Sequence, residues 1–388
     1  MTALAKTDTL PKIEFIDLAA QQRRIKPKLD AAIARVLAHG GYIMGKDVAE
    51  FEKQLSVFCG ATYSLSCSNG TDAITLALMA YDVGPGDAIF CPSFTFASTA
   101  EVVALRGATP VFIDSLPDTF NMDPASLEQA IAATKTSGLK MRGIIPVCLF
   151  GQPADYHAIK KIADANSLFV IADCAQGFGG VYHGQQVTMV ADITTTSFFP
   201  AKPLGCYGDG GAVFTNNQEL YDIMASLRVH GKGSDKYDNV RVGLNARLDT
   251  LQAAILIEKL AIFPDEIVAR NRVADRYTAA LKDVITTPHV PAGYTSVWAQ
   301  YTLQAPSEAA RTTLQAKLKD AGIPTMVYYP KPLHQQTAYK MHPTATGGAL
   351  PACEDMAARV FSLPMHPYLD DATVDYICDT LKSAVAGL

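Results

Sequence analysis

The run Thr194-Thr195-Thr196-Ser197-Phe198-Phe199-Pro200-Ala201-Lys202-Pro203-Leu204-Gly205, continuing into Cys206-Tyr207-Gly208-Asp209-Gly210-Gly211, sets one lysine in a short turn. A strand-like stretch leads into the turn and a glycine cluster follows it. A lysine amine is protonated in water and is then a poor nucleophile. Burial or a neighbouring positive charge can lower its pKa enough for it to form a Schiff base with a carbonyl. Taken alone, Lys202 reads most simply as a solvated surface charge. Its surroundings in the chain give it more meaning.

Working outward, residues 60–215 alternate short β-rich runs with helical stretches. The pattern predicts strands at 63–66, 88–91, 111–114, 144–149, 168–173, 193–198 and 211–214, with helices at 71–81, 98–105, 127–134 and 156–165. Strands alternating with helices imply right-handed βαβ crossovers and a mostly parallel sheet covered on both faces. Continuous apolar strands such as Phe169-Val170-Ile171-Ala172 fit such a sheet. After residue 217 the texture changes to helices at 219–228, 248–260 and 265–281. Strands at 301–304 and 325–329 and helices at 309–321 and 373–384 then mix into a smaller α+β unit. The expected division is a large domain over 1–262, N-terminal arm included, and a small C-terminal domain over 263–388.

Bulk composition bounds the function. A chain of 388 residues, 49% hydrophobic and 18% charged, is expected to form a globular enzyme with a large buried core. Its formal charge of -5 and lack of a basic run argue against nucleic acid as a partner. Eight scattered cysteines form no CxxC pair and show no zinc-ligand spacing, so no metal is expected, and buried reduced thiols are. The first twelve residues lack a signal-peptide pattern, and no apolar run is long enough to cross a bilayer. No membrane association is expected, and the cytoplasm is the expected location.

Three further stretches, and Ser197 of the first, supply chemistry. Cys67-Ser68-Asn69-Gly70-Thr71-Asp72-Ala73 sits between a strand and a helix, where exposed N–H groups and the helix dipole favour an anion. Alone it is equally an ordinary capped loop. Asp173 ends a strand at Val170-Ile171-Ala172-Asp173-Cys174-Ala175-Gln176. Ligands bind beyond strand carboxyl ends in such sheets. An acid there can hold a pyridinium nitrogen protonated, and Gln176 can reach a ring oxygen; the plain alternative is a helix cap. Pro92-Ser93-Phe94-Thr95-Phe96 offers aromatics to stack on a flat ring, although each phenylalanine alone reads as core. Ser197, five residues before Lys202, can donate to a phosphate. Phosphate loop, aromatic, ring-nitrogen acid, hydroxyl and lysine together are the set that pyridoxal 5'-phosphate requires.

With these motifs in place, the chain resembles the DegT/DnrJ/EryC1/StrS sugar aminotransferases, within the aspartate-aminotransferase-like (fold type I) pyridoxal phosphate enzymes. The resemblance runs from Ile13-Glu14-Phe15-Ile16-Asp17-Leu18 and Gly41-Tyr42-Ile43-Met44-Gly45 through Asn245-Ala246-Arg247-Leu248-Asp249 and Tyr329-Pro330-Lys331-Pro332-Leu333-His334 to Ser362-Leu363-Pro364-Met365-His366-Pro367. It implies that Lys202 is the catalytic Schiff-base lysine and proton shuttle. It implies that Asp173 pairs with the ring nitrogen, that Gln176 contacts the phenolic oxygen, and that Gly70, Thr71 and Ser197 hold the phosphate under a stacked Phe96. Asn245 matches a family residue that reaches the phosphate of the other subunit, which implies a homodimer with shared active sites. Tyr329 and His334 fall where the family meets the sugar nucleotide. The chain has Gln176 where many members have histidine. A dehydratase branch of the family replaces the lysine with histidine, so Lys202 favours amino transfer.

The wording around Lys202 and at Arg241-Val242-Gly243-Leu244-Asn245-Ala246-Arg247-Leu248-Asp249 is similar to the branch that aminates a UDP-linked 2-acetamido-2-deoxy-3-oxo-glucuronate. The implied exchange takes an amino group from L-glutamate, leaving 2-oxoglutarate, and serves bacterial surface polysaccharide such as lipopolysaccharide O-antigen. The sugar carboxylate would need a cation, for which Arg247, Lys331 and His334 are candidates. Arg247 equally fits a salt bridge with Asp249. A neutral 3-keto or 4-keto 6-deoxyhexose nucleotide is the alternative acceptor. A nicotinamide dehydrogenase would carry GxGxxG after its first strand, and none occurs. A catalytically silent regulatory member of the fold would have lost Lys202 or Asp173, and a plain binding protein would need neither.

Overall fold

A computed structural model describes residues 12–235 and 237–388. Residues 1–11, on which the signal-peptide expectation chiefly rests, and Lys236 lie outside the described residues. Two amphipathic helices lead. The Asp17 carboxylate caps α1, Leu18–His39, by accepting from Ala20 N at 2.8 Å, and Gly40 closes the helix in the left-handed conformation. Ile25, Leu29, Ala32 and Val36 recur at helical spacing and are buried. The second helix, α2, Lys46–Cys59, buries Val48, Phe51, Leu55 and Cys59 in the same way. Removing the Phe51 ring would cost about 3–5 kcal/mol. Neither helix stands out in the sequence, because the apolar stripe is narrow and the remaining positions are mostly polar.

The strand–helix alternation follows. It comprises β1 (Tyr63–Cys67), α3 (Gly70–Ala80), β2 (Asp87–Pro92), α4 (Ser98–Leu105), β3 (Thr109–Ile113), α5 (Pro124–Thr134), β4 (Lys140–Ile144), α6 (Tyr156–Ala165) and β5 (Phe169–Asp173). A short hairpin, β6 (Val181–Tyr182) and β7 (Gln185–Gln186), precedes β8 (Ile193–Ser197) and β9 (Gly211–Thr215). After these come α7 (Gln218–Leu227), α8 (Thr250–Leu260), α9 (Phe263–Leu281) and β10 (Tyr294–Thr295). The chain ends with β11 (Tyr301–Gln304), α10 (Glu308–Asp320), α11 (Pro351–Arg359), β12 (Val360–Leu363) and α12 (Asp371–Ala386).

Seven strands form one sheet in the order β1-β9-β8-β5-β4-β2-β3. Strand β9 runs antiparallel to both neighbours, and the other pairings are parallel. This is the mostly parallel sheet that the sequence predicts. Strand pleating sends alternate side chains to opposite faces. Ile89, Cys91, Ile171 and Val213 face one core with α3 and α7 residues, whereas Phe90, Val170 and Ala172 face another with α5 and α6 residues. Helices α2 and α8 cover Phe198 and Phe214. A further core joins Val273, Ala274 and Tyr277 of α9 to β11, β12 and residues of α10 and α12.

Two expected strands differ. The apolar run at 144–149 is a strand only as far as Ile144; the rest descends into a 3₁₀ turn at Leu149–Gly151. Its residues are apolar because they are buried, which an apolar run alone cannot distinguish from a strand. Residues 325–329 form no strand, only one isolated bridge between Met326 and Ser362.

Candidate active site

The turn after β8 rises from the sheet and returns to it as β9. Phe198 N donates to Gly210 O at 2.7 Å and Cys206 N to Phe198 O at 2.8 Å, so both arms of the loop are tied. Lys202 N donates to Phe199 O at 2.8 Å, and the lysine side chain lines a cavity of about 560 Å³. Burial lowers the Lys202 pKa, and the nearby Asp173 carboxylate partly offsets this. No neighbouring cation contributes. Of the two causes the sequence offers, desolvation acts alone here.

Asp173, at the end of β5, lines the same cavity and is only 3% exposed. Its Oδ2 accepts from Thr99 Oγ1 at 2.9 Å and its Oδ1 from Ala175 N at 3.1 Å. Burial pushes its carboxyl pKa up, while these donors and Lys202 pull it down. Thr99 escapes the sequence reading because a threonine at the start of a helix carries no signal of its own.

The third element is the start of α3. Asn69 caps it, its Oδ1 accepting from Asp72 N at 2.7 Å. The first N–H groups of a helix have no intrahelical partner, and the dipole makes this end positive. Gly70 lies so close to Ser197 that a Cβ there would sit 2.7 Å from Ser197 Cβ. Only glycine lets this helix end approach the β8 terminus. Gly70, Thr71 and Ser197 line the cavity together.

Gln176 is buried and engaged at both ends. Its Oε1 accepts from Phe150 N at 2.6 Å, and its Nε2 donates to Tyr329 Oη at 3.0 Å. Burial raises the Tyr329 phenol pKa. The Phe96 ring, 56% exposed, stands 6.4 Å from the Tyr329 ring, whereas Phe94 is buried in the core. Of the two aromatics, Phe96 is the one in the cavity. Ile16, Tyr328, Gln300 and Asp209 also line it, although the sequence reading assigns them no role.

Four expected residues stand outside this cavity in the single chain. Asn245 is exposed and bridges to Val229. Arg247 is half-buried with an unpartnered Nε, and no ion pair with Asp249 occurs among the described residues. Lys331 is exposed. The His334 ring is held between Ser93 Oγ, 2.7 Å from Nδ1, and Glu354 Oε1, 3.1 Å from Nε2.

These groups fit a phosphate-bearing pyridine aldehyde. A buried carboxylate with a raised pKa is suited to a cationic ring nitrogen. The Lys202 amine, with a lowered pKa and no hydrogen bond among the described residues, is suited to a carbonyl, and the α3 terminus to a phosphate. All eight cysteines are buried free thiols. No group of three or more metal-ligating side chains occurs among the described residues, nor does any helix long and apolar enough to cross a membrane.

Sheet, lysine turn and strand-end acid define an aspartate-aminotransferase-like pyridoxal phosphate fold. The chain belongs to the DegT/DnrJ/EryC1/StrS aminotransferase family, whose model matches residues 23–382. A Pseudomonas aeruginosa protein named UDP-2-acetamido-2-deoxy-3-oxo-D-glucuronate aminotransferase is 50% identical over 372 residues, covering 96% of this chain and 100% of its own. A Brucella abortus structure described as a DegT DnrJ EryC1 StrS aminotransferase superposes with a TM-score of 0.93 at 53% identity, over 96% and 99% of the two chains. Bacillus subtilis NtdA, solved with bound cofactor PMP, gives a TM-score of 0.89 at 29% identity, over 98% of this chain and 87% of its own. The cofactor of this enzyme class is pyridoxal 5'-phosphate.

Proposed function

We propose that this aminotransferase moves the amino group of L-glutamate to UDP-2-acetamido-2-deoxy-3-oxo-D-glucuronate, releasing 2-oxoglutarate. The observation that carries the reading is the meeting of Lys202, Asp173 and the α3 terminus in one cavity. The choice of sugar rests on the Pseudomonas aeruginosa relative. Bound there, the cofactor supplies an electron sink that allows the amino-bearing carbon to lose and regain a proton. Lys202 carries that proton, its lowered pKa making the neutral amine accessible. Asp173 keeps the ring nitrogen protonated, and Gln176 orients the ring through its phenolic oxygen. Gly70, Thr71 and Ser197 hold the phosphate, and Phe96 covers the ring face.

Tyr329 is the substrate contact best supported, because it lines the cavity. With both ring nitrogens engaged, His334 serves this reading by fixing the Tyr329 segment against Ser93, just after β2, and Glu354 of α11. Arg247 and Lys331 remain the cations for the sugar carboxylate. A homodimer, with Asn245 reaching the partner's phosphate, is part of the proposal. Exposed Tyr42, Ile43, Met44, Val240 and Val242 support it, since apolar side chains of this kind favour burial against a second copy. The proposal also includes a division after residue 262, a cytoplasmic location and a role in surface polysaccharide synthesis. Incubation with cofactor, glutamate and a panel of keto sugar nucleotides tests it. Turnover of the 3-oxo-uronate is expected. If only a 3-keto or 4-keto 6-deoxyhexose nucleotide reacts, the sugar assignment fails; if none reacts, the aminotransferase reading fails.

A further inference from the structure

Thr119 Oγ1, Gln152 Nε2 and Gln300 Oε1 make no hydrogen bond, although their residues are only 9%, 5% and 8% exposed. All three residues line one small cavity, bounded also by Ser296, Trp298 and Thr302. They arrive from distant parts of the chain. Thr119 lies in the loop between β3 and α5, Gln152 follows the 3₁₀ turn after β4, and Gln300 immediately precedes β11. Buried polar groups are ordinarily paired, so three unpartnered atoms around one space call for a common partner.

The backbone holds these segments together. Asn121 Nδ2 donates to Gln152 O at 3.2 Å and Pro153 O at 3.0 Å, and its Oδ1 accepts from Leu149 N at 3.0 Å. Val297 N donates to Gly151 O at 3.0 Å, and Gln300 N to Phe150 O at 3.3 Å. Gly151 has φ 104°, and a Cβ there would sit 2.6 Å from Trp298 N. Within two positions of each unpartnered side chain lies a non-glycine residue in the left-handed region: Phe120 at φ 64°, Phe150 at φ 58° and Trp298 at φ 50°. Such backbone persists where surrounding structure enforces it and is concentrated at functional sites.

The cavity that the three residues line is small, of the order of the volume of a single water. Water donates and accepts, so a single molecule satisfies a hydroxyl, an amide nitrogen and an amide oxygen in either orientation of the two carboxamides. Gln300 also lines the larger cavity with Lys202, Asp173 and Gln176. With its oxygen turned to the water, its N–H groups are left for that cavity.

We infer that a single water held by Thr119, Gln152 and Gln300 fixes the Gln300 carboxamide so that it donates a hydrogen bond to an oxygen of the substrate. Gln300 is then a substrate-contacting residue, and Thr119 and Gln152 are positioning residues. The inference rests on the aminotransferase reading of the site. The oxygen belongs to the keto sugar or to the carboxylate of the amino donor, and the two half-reactions separate these sources. Each is followed in the holoenzyme by cofactor absorbance, with L-glutamate in one arm and the keto sugar nucleotide that the wild type turns over in the other. Gln300→Leu is expected to weaken half-saturation in one arm about tenfold more than in the other. Thr119→Val should shift that same arm roughly threefold, and Thr119→Ser should restore it. A crystal structure of the holoenzyme should show one water within hydrogen-bond distance of all three atoms. Equal loss in both arms, no effect of Thr119→Val, or no water at that place would overturn the inference. If the wild type transfers no amino group, the functional reading fails, and the crystal structure still decides the water site.

Discussion

Thr99 donates its hydroxyl hydrogen to Oδ2 of Asp173 at 2.9 Å, at a place where neither residue meets bulk water. A hydrogen bond to a charged group contributes about 1.5–3 kcal/mol, and in a buried site its loss leaves an oxygen unsatisfied. The bond also holds the carboxylate against the rise in pKa that burial imposes.

Replacing Thr99 with valine should therefore raise the Asp173 pKa further and weaken cofactor binding about tenfold or more. Thr99→Ser should recover most of the loss. A pH titration of the bound cofactor's absorbance, together with its dissociation constant, checks this. An unshifted titration in the valine variant would count against the role of Thr99.

Lys202→Ala should lower turnover by at least about 10²–10⁴-fold, the range expected when a positioned proton-transfer group is lost. Borohydride treatment should leave the cofactor covalently attached to the wild-type chain and not to this variant. Mass spectrometry of the peptide containing residue 202 reads the outcome.

Gly70→Ala would place a Cβ 2.7 Å from Ser197 Cβ, closer than real contacts allow. The α3 terminus must retreat from β8, which should cost about 1–3 kcal/mol of stability. Because the expected phosphate site lies at this junction, cofactor affinity should fall by a larger factor than the melting temperature implies. Thermal melts with and without added cofactor separate the two effects.

The cofactor-free protein should carry a pH signature. Asp173 has a raised folded pKa, so its stability contribution is most favourable below the unfolded carboxyl value and is lost as pH rises through the folded value. Lys202 has a lowered folded pKa, so its penalty is full below that value and is relieved as pH rises toward the unfolded value of 10.5. Asp173→Asn should thus raise the melting temperature of the cofactor-free protein by about 2 °C or more near pH 7. The gain should vanish below about pH 4, where the wild-type carboxyl is neutral in both states. A variant melting below the wild type at neutral pH would contradict this.

Particular residues show what the sequence made legible. The motif residues Gly70, Thr71, Phe96, Asp173, Gln176, Ser197 and Lys202 converge in one cavity because all lie at carboxyl ends of strands, in the turns that follow them or, for Gly70 and Thr71, at the start of the next helix. Strand order reversal at β9 was not readable, since short apolar runs state burial and not direction. Thr99 and Gln300 were invisible for a different reason. Each matters through one long-range contact or cavity, and neither residue type at its position is unusual. Asn245 and Arg247 do not line this cavity in the single chain, and the proposed homodimer is what would bring Asn245 to it.

The position of β9 between β1 and β8 has a consequence for assembly. Among the described residues strand β1, which leads into the α3 terminus, pairs only with β9, a strand synthesised far later. Pairings of such long sequence separation close large loops and form slowly. The helix end made early must wait for the lysine turn and its returning strand before it faces Ser197. During synthesis Gly70 and Thr71 emerge well before Ser197 and Lys202, so the anion site and the carbonyl site are completed together when the returning strand forms. Cofactor capture becomes a late step in folding, available only once the sheet has closed around Lys202.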